Sequence, residues 1–515
     1  MALRPLAAML TILTLVVALV GGPGSDARVA AVAPPSMSPA PPSMSPAPTP
    51  TISAATPTTP ARPDIIMIYI DDVPPLDGRF WAMDRTPNIR RYIIDNGLTF
   101  RHAVDEAPLC CPARANLLTG LHTRNNHVII NDARPFEPSE TIATELQGVG
   151  YHTSWIGKYL NLYMSIHGAA HATYAAGWDT FEPMSGSSYG YYYWPKGDPG
   201  YSRPTEHSMQ LVQDLAVADL RNAPADQPLF AVLSTFAGHY PNVALPGNIG
   251  SPRCADIKPW KPPRYGASAA SDKPPWVRAL ARRRASGLPA SGYPLAKVCE
   301  DMLGVDQLVG KVVQEQTRRG RLADTLLVLA SDNGYLYGDF GIVDKWVPWA
   351  TSLVLSMSWP NGMGTTRRMT AYPTSNIDFA PTFCEIAGCA MGPYPDGQTH
   401  ADGHSLLRVM QGEPAAPRTS LLTVMLHPNP AIGMPAWSSV TTYDGYPLGR
   451  WHYIRYSTGA IELYDLALDP WELHDLADVP ADAGVIATLD ALRKTYLREG
   501  LPQHDEPPVR RPQVV

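Results

Sequence analysis

The chain has 515 residues, enough for one large α/β domain with a smaller one. Its formal net charge is −6 and only 17% of residues are charged. No overall basic field is present to draw nucleic acid or an anionic membrane surface, and neither nucleic acid nor an integral membrane protein is expected as a partner.

Residues 1–33 read as an export signal. Arg4 supplies the positive start, Leu6 to Val20 an apolar run of about fifteen residues, and Ala31-Val32-Ala33 a small-residue cleavage site. The run is shorter than the roughly 20 residues a membrane span needs. An uncleaved N-terminal anchor is the alternative; a lipid anchor is not expected, because no cysteine follows the run. The protein is therefore expected to be secreted or held in the cell envelope. Residues 34–61 open with Pro-Pro-Ser-Met-Ser-Pro-Ala twice in tandem, from Pro34 to Ala47, a composition that buries no core and reads as an extended linker.

Folding is expected to begin at residue 62. Asp64 to Ile70 is a continuous apolar run of strand length, as are Leu229 to Phe236 and Thr325 to Ala330; such runs predict strands buried on both faces. Helical patterns lie between them. Pro87 to Asn96 is followed by Gly97, Thr141 to Gln147 has Ser139 as its candidate N-cap, and Met302 to Gln316 carries apolar residues at helical spacing. Strands alternating with helices predict an α/β fold with a large, mostly parallel or mixed central sheet flanked by helices, over residues 62–420. From residue 421 to 500 the texture changes. Leu422 to Leu426, Ser438 to Thr442, Trp451 to Tyr456 and Ile461 to Tyr464 predict a small antiparallel C-terminal subdomain, and 501–515 a loose tail.

Export gives the six cysteines meaning. Cys384 and Cys389 are near enough for a small disulfide loop and Cys254 suits Cys299, although spacing alone fixes no connectivity. Three of the expected strands end in polar residues on what would be one sheet edge: Asp71-Asp72, Gly238-His239 and Asp332-Asn333. Ligands gather beyond the carboxyl ends of parallel strands, and hard oxygen donors there suit calcium or magnesium. Taken singly, each pair reads equally well as a turn or a helix cap.

Cys110-Cys111-Pro112-Ala113-Arg114 decides between these readings. The C-x-P-x-R spacing, followed by Ala-Asn-Leu-Leu-Thr-Gly, resembles the nucleophile motif of the sulfatase family, most closely its N-acetylglucosamine-6-sulfatase branch. A second signature of that family, G-Y-x-T-x-x-x-G-K, matches Gly150 to Lys158. The resemblance runs from about Arg62 to Asp475, through Asn376 to Thr382, Asp402 to Leu406 and Glu462 to Leu466, later matches that look structural.

What the resemblance implies is specific. Cys110 would be oxidised by a formylglycine-generating enzyme to formylglycine, whose hydrate attacks sulfur. Asp71, Asp72, Asp332, Asn333 and modified Cys110 would hold one Ca2+, or Mg2+. Lys158, Lys345 and His239 would bind the sulfate of a sulfated small molecule or glycan, and Arg114 would brace the nucleophile and its anionic surroundings. His239 or Lys345 would protonate the leaving alcohol. Relatives on the same fold hydrolyse phosphonate or phosphate esters, and a silent sulfoglycan-binding protein is the non-enzymatic alternative. The chain departs from the family where Gly334-Tyr335-Leu336-Tyr337-Gly338 stands for Gly-Tyr-His-Leu-Gly. It departs again where Trp349 to Val354 replaces an Arg-Val-Pro segment. The added aromatics Tyr335, Tyr337, Trp346 and Trp349 read either as sugar-stacking or as core residues.

Overall fold

The computed structural model describes residues 62–498, apart from 168–173, 197–199, 285–286 and 393–400. The expected export signal, the whole linker and the tail lie outside the described residues.

Fifteen strands are described. They are β1 (Asp64–Ile70), β2 (Leu98–Phe100), β3 (Ala103–Val104), β4 (His152–Lys158), β5 (Thr180–Ser185), β6 (Tyr192–Tyr193), β7 (Leu229–Ser234), β8 (Thr325–Ser331), β9 (Leu355–Ser358), β10 (Arg368–Thr370), β11 (Thr374–Ser375), β12 (Ser420–Met425), β13 (Trp437–Thr442), β14 (Trp451–Tyr456) and β15 (Ile461–Asp465). Nine of them form one sheet in the order β10-β2-β9-β8-β1-β7-β4-β5-β6. β1 pairs in parallel with both β7 and β8, and β4 in parallel with β7 and β5. β9 and β6 run antiparallel to their neighbours, so the sheet is mixed.

The continuous apolar runs become the buried centre of this sheet because side chains alternate between its faces. Ile65, Met67 and Tyr69 enter one core cluster with Phe230 and Val232, under the helices Cys110–Thr119, Ile142–Gly148 and Phe379–Ala387. Ile66, Ile68 and Ile70 enter the opposite cluster, packed by the helices Ser208–Asn222 and Ala296–Arg318. The expected helix over Pro87 to Asn96 is a short α-turn that widens into a π-helix over Arg90–Ile94. β12 to β15 form a separate four-stranded antiparallel sheet. The helix Ala483–Arg498 packs on it through Leu489 and Leu492.

One cap is corrected. Ser139 does not begin its helix; Thr141 does, its backbone N–H donating to Thr144 Oγ1 at 3.4 Å and its carbonyl accepting from that hydroxyl at 2.7 Å, while Ser139 Oγ donates to Glu137 Oε1 at 2.7 Å. Both disulfide pairings are present, Cys254–Cys299 and Cys384–Cys389, and Cys110 and Cys111 are free, buried thiols.

Candidate active site

Because β1, β4, β7 and β8 are parallel, their carboxyl ends meet at one edge of the sheet. Asp71 and Asp72 follow β1, and Asp72 adopts a left-handed φ of +55°, a turn that aspartate tolerates. Asp332 and Asn333 follow β8, Lys158 ends β4, and His239 follows β7. The Asp72 backbone N–H donates to Asp332 Oδ1 at 3.2 Å, and Asn333 Nδ2 donates to Asp72 Oδ1 at 2.5 Å. One carboxylate oxygen each from Asp71, Asp72 and Asp332 lies within 4.8 Å of the others, and all three side chains are buried.

Cys110 opens a ten-residue helix that is buried along its whole length and ends at Gly120, with φ +67°. The helix N-terminus directs positive potential at this spot. Lys158 Nζ donates to Cys110 Sγ at 3.2 Å and pairs closely with Asp71 Oδ2; Lys345 Nζ lies 2.8 Å from the same sulfur and 2.5 Å from Asp72 Oδ1. Both lysines are buried, as is Arg114. Arg114 bonds to Asp332 Oδ2 through Nε at 3.1 Å and through a terminal nitrogen at 2.9 Å. Its other arm donates at 2.7 Å to the Lys158 carbonyl and to Ser234 Oγ. It therefore braces the carboxylates and the Lys158 backbone rather than touching Cys110. Three buried carboxylates thus face three buried cations, an arrangement that offsets the cost of burying either set alone.

Titration follows from these neighbours. Burial pushes Asp71 up, but Lys158, with His239 and Lys345, overrides it and holds the carboxyl below its usual range. Burial raises the Cys110 thiol to about 11 against the opposing pull of Lys158 and Lys345. Lys345 is raised well above its usual value; burial lowers it, and the Asp72 carboxylate more than compensates.

His239 is the most open of the set, with 37% of its side chain exposed. Its Nδ1 lies 2.7 Å from the Tyr240 carbonyl, which only accepts, so Nδ1 carries a proton and Nε2 faces Asp72 Oδ2 at 3.7 Å. A cavity of about 110 Å³ opens over Cys110, lined by Lys158, His239 and Lys345 together with Asn131, Asn161 and Trp346. All nine residues expected at the site lie around this one point.

Several contributors carried no signal in the sequence. Buried Asp105 accepts the Gly334 N–H at 3.0 Å, and burial raises its carboxyl well above the usual range. Asp301 accepts the Gly238 N–H at 2.8 Å, fixing the turn that carries His239; burial raises it to about 8. Asn131 Oδ1 accepts from the Cys111 N–H. Each acts through the backbone of a distant segment, which no local motif announces. Of the added aromatics, Trp346 lines the cavity over Cys110. Tyr335, Tyr337 and Trp349 line a separate one of about 370 Å³, where Tyr337 stacks on Tyr293 and Trp349 packs on Phe340. Leu336, in the place of the family histidine, is buried in a cluster with Phe340 and Trp349.

The chain belongs to the sulfatase family: residues 63–389 match the family model described as sulfatase. Residues 338–497 match the model described as N-sulphoglucosamine sulphohydrolase, C-terminal. Among curated relatives, an extracellular sulfatase SULF-1 homolog of Drosophila melanogaster is 27% identical over 365 residues, 68% of this chain and 31% of that protein. The N-acetylglucosamine-6-sulfatase of Homo sapiens is 27% identical over 379 residues, 68% of this chain and 65% of that protein. The chain thus spans less than two thirds of the length of either relative. A solved structure in complex with its substrate D-glucosamine-2-N,6-O-disulfate has a TM-score of 0.69 at 21% identity, covering 85% of this chain and 98% of that one. The phosphonate monoester hydrolase of Agrobacterium radiobacter has a TM-score of 0.63 at 20% identity, covering 85% and 96%. At these identities the likeness is one of fold.

Proposed function

We propose that this chain is a sulfuric ester hydrolase, releasing sulfate from a sulfated carbohydrate or another sulfate ester. The observation that carries this reading is the pair of buried lysine ammoniums, 3.2 and 2.8 Å from Cys110 Sγ, at the floor of a cavity over three carboxylates. A sulfate monoester is an anion, so attack on its sulfur requires that its oxygens be neutralised beforehand.

The donor set fits a hard divalent cation: Asp71, Asp72 and Asp332 offer buried carboxylate oxygens, and Asn333 an amide oxygen. Residue 110 fits formylglycine, because an oxygen on its Cβ would accept the two lysine bonds now made to sulfur. When present, calcium or magnesium supplies charge neutralisation at the sulfate oxygens, and the formylglycine hydrate supplies a hydroxyl nucleophile. Lys158 and Lys345 hold the sulfate oxygens. Arg114 fixes the orientation of Asp332 and the end of β4, and so the position of Lys158. His239, anchored through Nδ1, and Lys345 both line the cavity, and one of them gives the leaving oxygen its proton. Export is part of the same reading, supported by the apolar run Leu6 to Val20 and by two disulfides suited to an oxidising compartment.

Two measurements test this. Mass spectrometry of the tryptic peptide His102–Arg114 from active protein is expected to find residue 110 as formylglycine. Active protein carrying only unmodified Cys110 would sink the mechanism. Paired assays on an aryl sulfate and an aryl phosphate are expected to favour the sulfate; the reverse preference would establish the phosphonate or phosphate ester alternative, and neither activity the silent binding protein.

A further inference from the structure

Lys345 Nζ stands 2.8 Å from Cys110 Sγ, yet the segment before it does little to aim it there. That segment closes on itself as a hairpin: the Leu336 N–H donates to the Asp344 carbonyl and the Gly338 N–H to that of Ile342, each at 2.9 Å. Its tip is held away from the cavity, by Arg264 Nε on Asp339 Oδ1 at 2.6 Å. The constraint on Lys345 comes from its other neighbour.

Trp346 has a left-handed φ of +79°, a conformation costly for a bulky side chain and kept only where surrounding contacts impose it. Two hydrogen bonds impose it here. The Trp346 N–H donates at 3.1 Å to the carbonyl of Pro108, two residues before Cys110. The Trp346 carbonyl accepts from Trp437 Nε1 at 2.8 Å. Trp437 opens β13 of the separate four-stranded sheet and is 2% exposed, in a core cluster with Leu336, Phe340 and Trp349. An indole N–H only donates, so this bond has one direction, and core packing fixes the ring that makes it.

We infer that Trp437 is the positioning residue for Lys345: through the Trp346 carbonyl it holds the turn that sets the ammonium against residue 110. None of the described residues lining the cavity over Cys110 comes from the four-stranded sheet, so that sheet acts on the site through this backbone contact. The consequence for turnover rests on the sulfate ester reading above; the placement of Lys345 does not.

Trp437→Phe keeps an aromatic ring in the core and deletes the donor. Trp451→Phe is its control: Trp451 opens the next strand, β14, and gives its own Nε1 bond, at 2.7 Å, to the Leu448 carbonyl. Both variants are expected to melt a similar few degrees below the wild type. In the unconverted full chain, the rate at which iodoacetamide alkylates residue 110 at pH 9, followed by mass spectrometry, reads the placement of Lys345, because that ammonium favours the thiolate. Trp437→Phe is expected to slow alkylation at least threefold and Trp451→Phe less than twofold. Added to Lys345→Ala, Trp437→Phe is expected to slow it no further. In converted enzyme, kcat/KM on an aryl sulfate is expected to fall at least fivefold in Trp437→Phe and less than twofold in Trp451→Phe. Equal effects of the two phenylalanines on alkylation, no effect of either, or further slowing in the Lys345→Ala background would overturn the assignment. The expected alkylation pattern in a chain that hydrolyses no aryl sulfate would overturn the proposed reaction and leave the role of Trp437 standing.

Discussion

At the scale of single residues, the two adjacent cysteines part company. Cys110 Sγ is held by two lysines at the cavity floor, whereas Cys111 lies in the core cluster with Leu118 and Trp155. Burial raises the Cys111 thiol to about 12. Cys110→Ala is expected to remove turnover, by on the order of 10⁴-fold or more in kcat, as loss of a covalent nucleophile does. Cys111→Ala is expected to cost about 1–2 kcal/mol of stability through lost packing, with kcat nearly that of the wild type. Urea unfolding and steady-state kinetics on both variants check this; equal loss of chemistry in two well-folded proteins would contradict the division of roles. The sequence distinguished the pair because only Cys110 has proline at +2 and arginine at +4. It was silent on Asp105, Asp301 and Asn131, whose partners are the N–H groups of Gly334, Gly238 and Cys111. A carboxylate that satisfies remote backbone looks in sequence like any surface acid.

At the scale of elements, the site depends on how closely neighbouring strand ends approach. Gly157, just before Lys158, has φ +105°, and a Cβ built there would stand 1.8 Å from the Ser234 carbonyl oxygen. Both the backbone conformation and the inter-strand gap therefore require glycine. Gly157→Ala is expected to destabilise the fold by about 2–4 kcal/mol. It is also expected to lower kcat/KM by more than about tenfold, because Lys158 moves with the displaced strand. Thermal melts alongside kinetics test this, and a variant with wild-type melting temperature and turnover would refute it. β1, β7 and β8 were legible because their burial on both faces leaves uninterrupted apolar runs. β4 was less so: its Thr153 and Ser154 are buried polar residues, with Thr153 Oγ1 donating to the Gly177 carbonyl at 2.6 Å, a pairing local pattern does not encode.

For the whole molecule, stability is expected to depend on pH through contacts that join distant segments. His122 Nδ1 lies 2.6 Å from Glu106 Oε2, and the same carboxylate group accepts the Thr123 N–H; the His122 N–H donates to Asp402. Burial would lower the imidazole, but the Glu106 carboxylate overrides it and raises His122 to about 9. A histidine raised above its unfolded value of roughly 6.5 contributes stability that is complete below that pH and is lost as pH climbs through 9. The size is at most about 3 kcal/mol. Urea unfolding at pH 6.5 and pH 9.5 is expected to show the larger fall in the wild type and a flatter profile in His122→Gln. Identical profiles would assign the dependence to other groups. The matches at Asp402 and Glu462 read as structural in the sequence, and their bonds bear this out: Asp402 anchors the His122 turn, and Glu462 accepts from Tyr456 and Tyr464.

The complete burial of the helix Cys110–Thr119 also sets an order of events in time. Pro112 and Arg114, the residues that would mark Cys110 for the proposed conversion, are as inaccessible in the folded chain as the thiol itself. If Cys110 is converted as proposed, an enzyme that reads this segment meets it only before the fold closes, so conversion would precede closure of the central sheet. On that proposal a copy that folds first would keep its thiol, and the active fraction of a preparation would be set before folding is complete.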